Sequence, residues 1–472
     1  MSVSLDVCIP SRSVTIEKGC AAMVGAVSVR GGVPLRGSVT LRGAKNLVPK
    51  AMVAALLAPG VSVLRNTPDV ADVAIVAGLL GLHGVGVERD VEGGTVVVDA
   101  ARVANPDVSE VLTHGGTSRI PVLFCGPLLQ RLGRAFIPDL GGCRIGDRPI
   151  DFHLDALRAF GAVVDKRPDG LDITAPNGLR GAMLTLPYPS VGATEQVLLT
   201  AVLAQGVTEL RNAALEPEVL DLIAVLQKMG ALIAVRLDRV IRVSGVDRLR
   251  GYTHRAIPDR IEAASWASAA LATRGDVYVA GARQGDLMTF LNVFRTAGGE
   301  FDVDDDGIRF WHPGGELAPL ALETDVHPGF MTDWQQPLAV ALTQANGLSI
   351  LHETVYENRL GFLDALSRMG ATVQPYRECL GATPCRFGAR SYMHSAVICG
   401  PAKLEAAQLS IPDLRGGFSQ VIAALAAQGT STIDGVEIIN RGYESFTTKL
   451  TGLGADIEPV GSGGAVPPPL AA

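Results

Sequence analysis

The sequence predicts an α/β protein of two lobes, each assembled from three copies of one helix-and-strand unit. Three observations lead there. A pattern recurs six times along the chain: a polar or small start, an apolar helix, a glycine, a strand, a second helix, and a Gly-Ala-like turn into another strand. The second helices stop near Gly84, Gly161, Gly230, Gly298, Gly370 and Gly454, a recurrence of about 70 to 85 residues. Segments such as VLLTAVLA and AVALTQA are apolar around nearly their whole circumference, so the first helices should be buried on all sides with sheets packed outside them.

The helix starts read, in order, GAKNLVPKAMVAALLAPG from Gly43, GGTSRIPVLFCGPLLQRLG from Gly115 and PSVGATEQVLLTAVLAQG from Pro189. The second half supplies IPDRIEAASWASAALATRG from Ile257, GFMTDWQQPLAVALTQANG from Gly329 and IPDLRGGFSQVIAALAAQG from Ile411. These starts carry the polar residues of interest: Lys45 and Asn46, Arg119, Ser190 to Thr194, Asp259 and Arg260, Asp333, and Asp413 with Arg415. If both lobes turn these ends to one cleft, helix N-termini and cations converge on a site suited to phosphate or carboxylate. Taken singly, Ser190, Asp259, Asp333 and Asp413 read as N-caps. Caps, however, do not require Lys45, Arg119, Arg260 and Arg415 beside them.

At 472 residues the chain exceeds one ordinary core, and 47% hydrophobic against 19% charged residues lets it bury a large interior. A net charge of −7 without a basic block excludes broad binding to nucleic acid or to an anionic membrane, and no oligomeric state follows from it. Seven cysteines at irregular spacing, with no secretory h-region, fit a reducing cytoplasm. The apolar run from Ala51 is broken by Pro59-Gly60, so no transmembrane segment is expected. Residues 1–24 and the tail 461–472 read as disordered extensions.

Cys379 and Cys385 are separated by five residues without a Cys or His cluster of metal-site spacing, so they read as ordinary loop and strand thiols. The eight histidines are scattered and read as surface or satisfied polar residues. No metal and no cofactor are expected. Of the tryptophans, Trp334, beside Asp333, is the one expected to touch a ligand.

Eight short motifs in order carry a resemblance to the enolpyruvyl transferases. They are GAKN (Gly43 to Asn46), GGCRIGDRPID (Gly141 to Asp151), SVGAT (Ser190 to Thr194), PDRIE (Pro258 to Glu262), TDWQ (Thr332 to Gln335), ENR (Glu357 to Arg359), DLR (Asp413 to Arg415) and RGYE (Arg441 to Glu444). The resemblance spans about Val27 to Pro459. It implies two inside-out α/β barrel lobes of three βαβαββ units each, with the chain crossing between lobes near Gly43 and Ile257. Residues 25–43 with 257–460 would then form the lobe carrying Asp333, Arg359, Arg415 and Arg441, and residues 44–256 the lobe carrying Lys45, Arg119 and the Cys143 loop.

The activity implied is transfer of the carboxyvinyl group of phosphoenolpyruvate to a hydroxyl of a uridine nucleotide with release of phosphate, through a tetrahedral ketal. By the resemblance Lys45, Arg119, Arg148, Arg359, Arg415 and Arg441 hold phosphate and carboxylate. Asp333 matches the general base, Cys143 the mobile-loop general acid, and Lys45 a further catalytic position. Asn46, Arg148, Pro149, Asp151, Phe152, Ser190, Val191, Gly192, Asp333 and Val355 match nucleotide and sugar contacts. Tyr188 and Leu215 depart from the family pattern, standing where basic residues are common.

The acceptor expected is the 3-hydroxyl of UDP-N-acetylglucosamine, a step toward peptidoglycan precursors. The rival is the 3′-hydroxyl of UMP, as in peptidyl nucleoside antibiotics of the nikkomycin and polyoxin kind. A reading of another class is a silent uridine-nucleotide-binding regulator, and the shikimate-pathway enzyme is a poorer match. With so many cations in one cleft, repulsion among them should hold it open until anions bind.

Overall fold

The second helices of all six units end alike. Each passes into a glycine of positive φ, at Gly84, Gly161, Gly230, Gly298, Gly370 and Gly454. The N–H of the next residue then reaches back five positions: Val85 to Leu80, Ala162 to Leu157, Ala231 to Leu226, Gly299 to Phe294, Ala371 to Leu366 and Ala455 to Leu450, at 2.9–3.1 Å. This is the Schellman turn, and it directs each chain into an antiparallel hairpin. The repeat inferred from sequence is therefore a repeat in hydrogen bonding.

The computed structural model describes residues 25–104, 118–138, 150–383, 385 and 392–460. The expected disordered extensions, 1–24 and 461–472, and the glycine-rich loop with Cys143, Arg148 and Pro149 lie outside the described residues. Among the described residues there are six sheets, five of four strands and one of three. In each four-stranded sheet three antiparallel strands are joined by a parallel one, as where Met183–Thr185 runs beside Val207–Arg211. Exposed and buried residues alternate along these strands, so one face of each sheet meets solvent.

The first helices lie beneath the sheets. Arg260–Ala272 is buried at every position, and Thr332–Leu342 at all but Asp333. Leu414–Ala426 is buried up to its last residue. Such helices suit only an interior. The apolar residues sort into two cores. One joins Val27, Val29, Leu35, Val39 and Leu41 to residues from Ile261 to Ile457. The other runs from Ala44 to Ala256. The two passages between them lie together, with Gly43 bridging Pro258 and the Ala44 N–H donating to the Ile257 carbonyl at 2.7 Å. Among the described residues no helix is long and apolar enough to cross a membrane.

Candidate active site

A cavity of about 640 Å³ lies between the two cores. From the Ala44–Ala256 side it is lined by Lys45, Asn46, Asp72, Arg119, Asp151, Phe152, Ser190, Val191 and Gly192, and from the other by Asp333, Val355, Tyr356 and Arg441. Local capping sets up the helix ends. Ser190 Oγ accepts from Ala193 N at 3.3 Å, and Asp259 from Ile261 N and Glu262 N at 2.8 and 3.1 Å. Asp413 accepts from Arg415 N and Gly416 N at 3.0 and 3.1 Å. All three are N-caps, as their sequence positions suggest. Asp333 is not: Met331 occupies the cap, and the Asp333 carboxylate binds Arg359, with Arg415 Nε 4.0 Å away. That carboxylate lines the cavity while paired with guanidinium groups behind it. At Gly192 a Cβ would lie 3.0 Å from His153 Nε2, so only glycine fits without displacing that ring.

The expected repulsion among cleft cations is corrected by the geometry. Asp72 accepts from Lys45 Nζ at 2.9 Å on one side and from Arg441 Nε and Nη2 at 3.2 and 3.0 Å on the other. Burial pushes the Asp72 carboxyl up, but Lys45 and Arg441 outweigh it and hold the group below its ordinary range. The carboxylate thus neutralises two cations and clasps the two cores across the cleft. Asp333 neutralises Arg359 within one core.

Lys45, Asn46, Arg119, Asp151, Phe152, Ser190, Val191, Gly192, Asp333, Val355 and Arg441, all singled out from sequence, meet in this cavity. Arg359 and Arg415 stand behind its wall, 4% exposed, reaching it through Asp333. Arg415 also lies over the Tyr443 ring at 4.9 Å. Arg260 also lines the cavity, with its guanidinium held in a buried bidentate pair with Glu218 at 3.0 and 3.1 Å. Trp334 does not line the cavity: it is 2% exposed and packs edge-on against Phe290 and Phe330, since successive helical residues point about 100° apart and this turns it from Asp333 into the core.

Sequence reasoning missed Asp72, His153 and Glu195. Asp72 opens a second helix, where an acidic residue reads as a dipole partner, so only its spatial neighbours disclose it. Burial lowers the His153 pKa to about 4, leaving the ring neutral. Burial raises Glu195 to about 7, against the opposing pull of Lys50, whose Nζ lies 3.6 Å away. The folded protein therefore holds a proton that the unfolded chain releases near 4.5. The Glu195 contribution to stability is greatest below that value and is lost as pH rises through about 7, by up to about 3 kcal/mol. Glu195→Gln should flatten this decline. Urea unfolding at pH 5.5 and pH 8 checks it, and an equal decline in both proteins removes Glu195 as the cause.

A family model described as EPSP synthase (3-phosphoshikimate 1-carboxyvinyltransferase) matches residues 29–450. The chain is 47% identical over 419 residues to UDP-N-acetylglucosamine 1-carboxyvinyltransferase of Protochlamydia amoebophila, covering 88% of this chain and 90% of that one. To the protein of the same name from Azorhizobium caulinodans it is 40% identical, covering 88% and 94%. Among solved structures, the enolpyruvyl transferase NikO from Streptomyces tendae superposes with a TM-score of 0.80 at 23% identity, over 92% of this chain and 98% of that one. EPSP synthase from Acinetobacter baumannii superposes at 0.67 and 18%, over 92% and 99%. The structural likenesses show the fold, two lobes of inside-out α/β units, and the sequence likenesses narrow the chemistry.

Proposed function

Because the chain belongs to the enolpyruvyl (carboxyvinyl) transferase family, we propose that it transfers the carboxyvinyl group of phosphoenolpyruvate to the 3-hydroxyl of UDP-N-acetylglucosamine and releases phosphate. The observation that carries the acceptor is the 40–47% identity, over 88% of this chain, with transferases named for that nucleotide sugar. The product would feed peptidoglycan synthesis in the cytoplasm, where a charged nucleotide sugar is retained.

In this reading Lys45, Arg119 and Arg441, which line the cavity, take the phosphate and carboxylate of phosphoenolpyruvate. Arg359 and Arg415 hold Asp333 from behind and add their charge, and Arg148 joins them from the loop. Val191 and Gly192 bring a helix N-terminus to the diphosphate, while Asn46 and Val355 line the sugar. Pro149, Asp151 and Phe152 edge the uracil, with Ser190 capping the helix below. Asp333 removes the acceptor proton as Cys143 protonates C3, and the hydroxyl oxygen bonds to C2. The ketal then loses a C3 proton as the C–O bond to phosphate breaks, restoring the vinyl group.

Phosphate release measured with phosphoenolpyruvate and either UDP-N-acetylglucosamine or UMP tests the acceptor. Release with UMP alone would move the enzyme to the nucleoside-antibiotic reaction; release with neither would favour the silent regulator. Fosfomycin, an epoxide analogue of phosphoenolpyruvate, should add covalently to Cys143 by opening of its ring. Peptide mapping that finds no adduct, or an adduct elsewhere, removes Cys143 from the mechanism.

A further inference from the structure

We propose that His352, Cys379, Cys385 and His394 form a tetrahedral site for a structural zinc ion, away from the cleft. In sequence the two cysteines have no His or Cys at metal-site spacing and so resemble ordinary thiols; the fold supplies the histidines from elsewhere. His352 ends the strand Gly347–His352, and His394 immediately precedes the strand Ser395–Gly400. These strands pair antiparallel with His352 opposite Ser395. The cysteines lie on the long connection that leaves the strand Thr372–Tyr376 and returns to Ser395.

One potential ligand atom from each of the four residues lies within 4.8 Å of the other three. Cys379 Sγ is 3.4 Å from Cys385 Sγ and 3.4 Å from His394 Nε2. A tetrahedron with zinc–sulfur and zinc–nitrogen lengths of about 2.3 and 2.0 Å has edges of roughly 3.3 to 3.8 Å. The cluster is therefore nearly at coordination distance.

Two further features point to an ion. Both imidazoles are fully buried, and neither ring nitrogen of His352 makes a hydrogen bond among the described residues. A buried imidazole normally has a partner. Outer contacts are also those of a metal site. His394 Nδ1 faces the Tyr392 carbonyl at 3.0 Å, which fixes the tautomer that turns the Nε2 lone pair toward Cys379. Glu323 Oε2 lies 3.6 Å from His352 Nδ1, and the same carboxylate accepts from Ala382 N and Thr383 N, both at 2.8 Å. Those two residues stand between the cysteines, so the loop is shaped around the site.

Two thiolates and two neutral imidazoles balance the charge of a divalent, borderline-soft ion. Binding releases two thiol protons to solvent and changes no oxidation state. The site is structural rather than catalytic, since none of its ligands lines the cavity. It pins the end of the strand that leads to Glu353. That buried carboxylate accepts from Thr332 Oγ1 and Gln335 Nε2 of the Asp333 helix at 2.8 and 2.7 Å, and from the N–H groups of Val355 and Tyr356 at 2.7 and 2.9 Å.

Elemental analysis of the full chain, purified with reductant and without chelator and then dialysed against zinc, should find one zinc per chain. Cys379→Ser and Cys385→Ser should each lower zinc affinity by more than about tenfold, while Cys399→Ser, outside the cluster, should not. Replacing zinc with Co2+ in wild type should give the visible absorption of a tetrahedral, thiolate-bound ion. This measurement does not depend on the variants folding. Wild-type protein that takes up neither metal, or a Cys379–Cys385 disulfide persisting under reductant, would overturn the proposal, as would undiminished zinc in both cysteine variants.

Discussion

Asp333→Asn is expected to lower kcat by about 10²–10⁴-fold, the range associated with a positioned general base, while the uridine nucleotide still binds. Asparagine preserves volume and can still face the acceptor, but it cannot take the hydroxyl proton. The substitution also removes the counter-charge of Arg359, which is 4% exposed, so some loss of stability must accompany it. Glu353 and Asp413 remain among the charges acting on that guanidinium, which limits the damage. Thermal unfolding of the variant separates the two effects. A folded Asp333→Asn protein releasing phosphate within about threefold of wild type would show that the base lies elsewhere.

The parts of this molecule that were legible in sequence are those set by local rules. Six glycines ending second helices in the left-handed region, three acidic or hydroxyl caps and helices without a polar face each depend on a few consecutive residues. They led to the unit, its number and the ends that meet at the cleft. Tertiary partners were not legible. Asp72 and Arg441 are 369 positions apart, and nothing local marks the clasp. Trp334 and Asp333 are neighbours in the chain, yet one is buried among aromatic rings and the other lines the cavity. His352, Cys379, Cys385 and His394 converge only because two strands pair antiparallel beside a long connection. Spacing along the chain does not mark these ligands, because the cluster is assembled across a sheet.

Lys45→Met should lower kcat/KM for phosphoenolpyruvate by about 10- to 150-fold, the equivalent of one charge-assisted hydrogen bond worth roughly 1.5–3 kcal/mol. Lys45 Nζ has a partner in Asp72 at 2.9 Å, and Arg441 shares that carboxylate. An incoming phosphate must therefore compete with Asp72, and the energy gained is the difference between two ion pairs. Asp72→Asn isolates that competition. It leaves both cations in place and removes their internal counter-ion, so inorganic phosphate should bind several-fold more tightly than to wild type, as measured by calorimetry. The cross-core clasp is lost in the same variant, so tighter ground-state binding need not raise kcat. If Asp72→Asn instead weakens phosphate binding, Asp72 orients Lys45 and Arg441 for the anion rather than competing with it. The double variant Lys45→Met with Asp72→Asn tests the pairing directly. Competition predicts that Lys45→Met perturbs phosphate binding by a different amount once Asp72 is neutral, and additive effects would mean the two residues act independently.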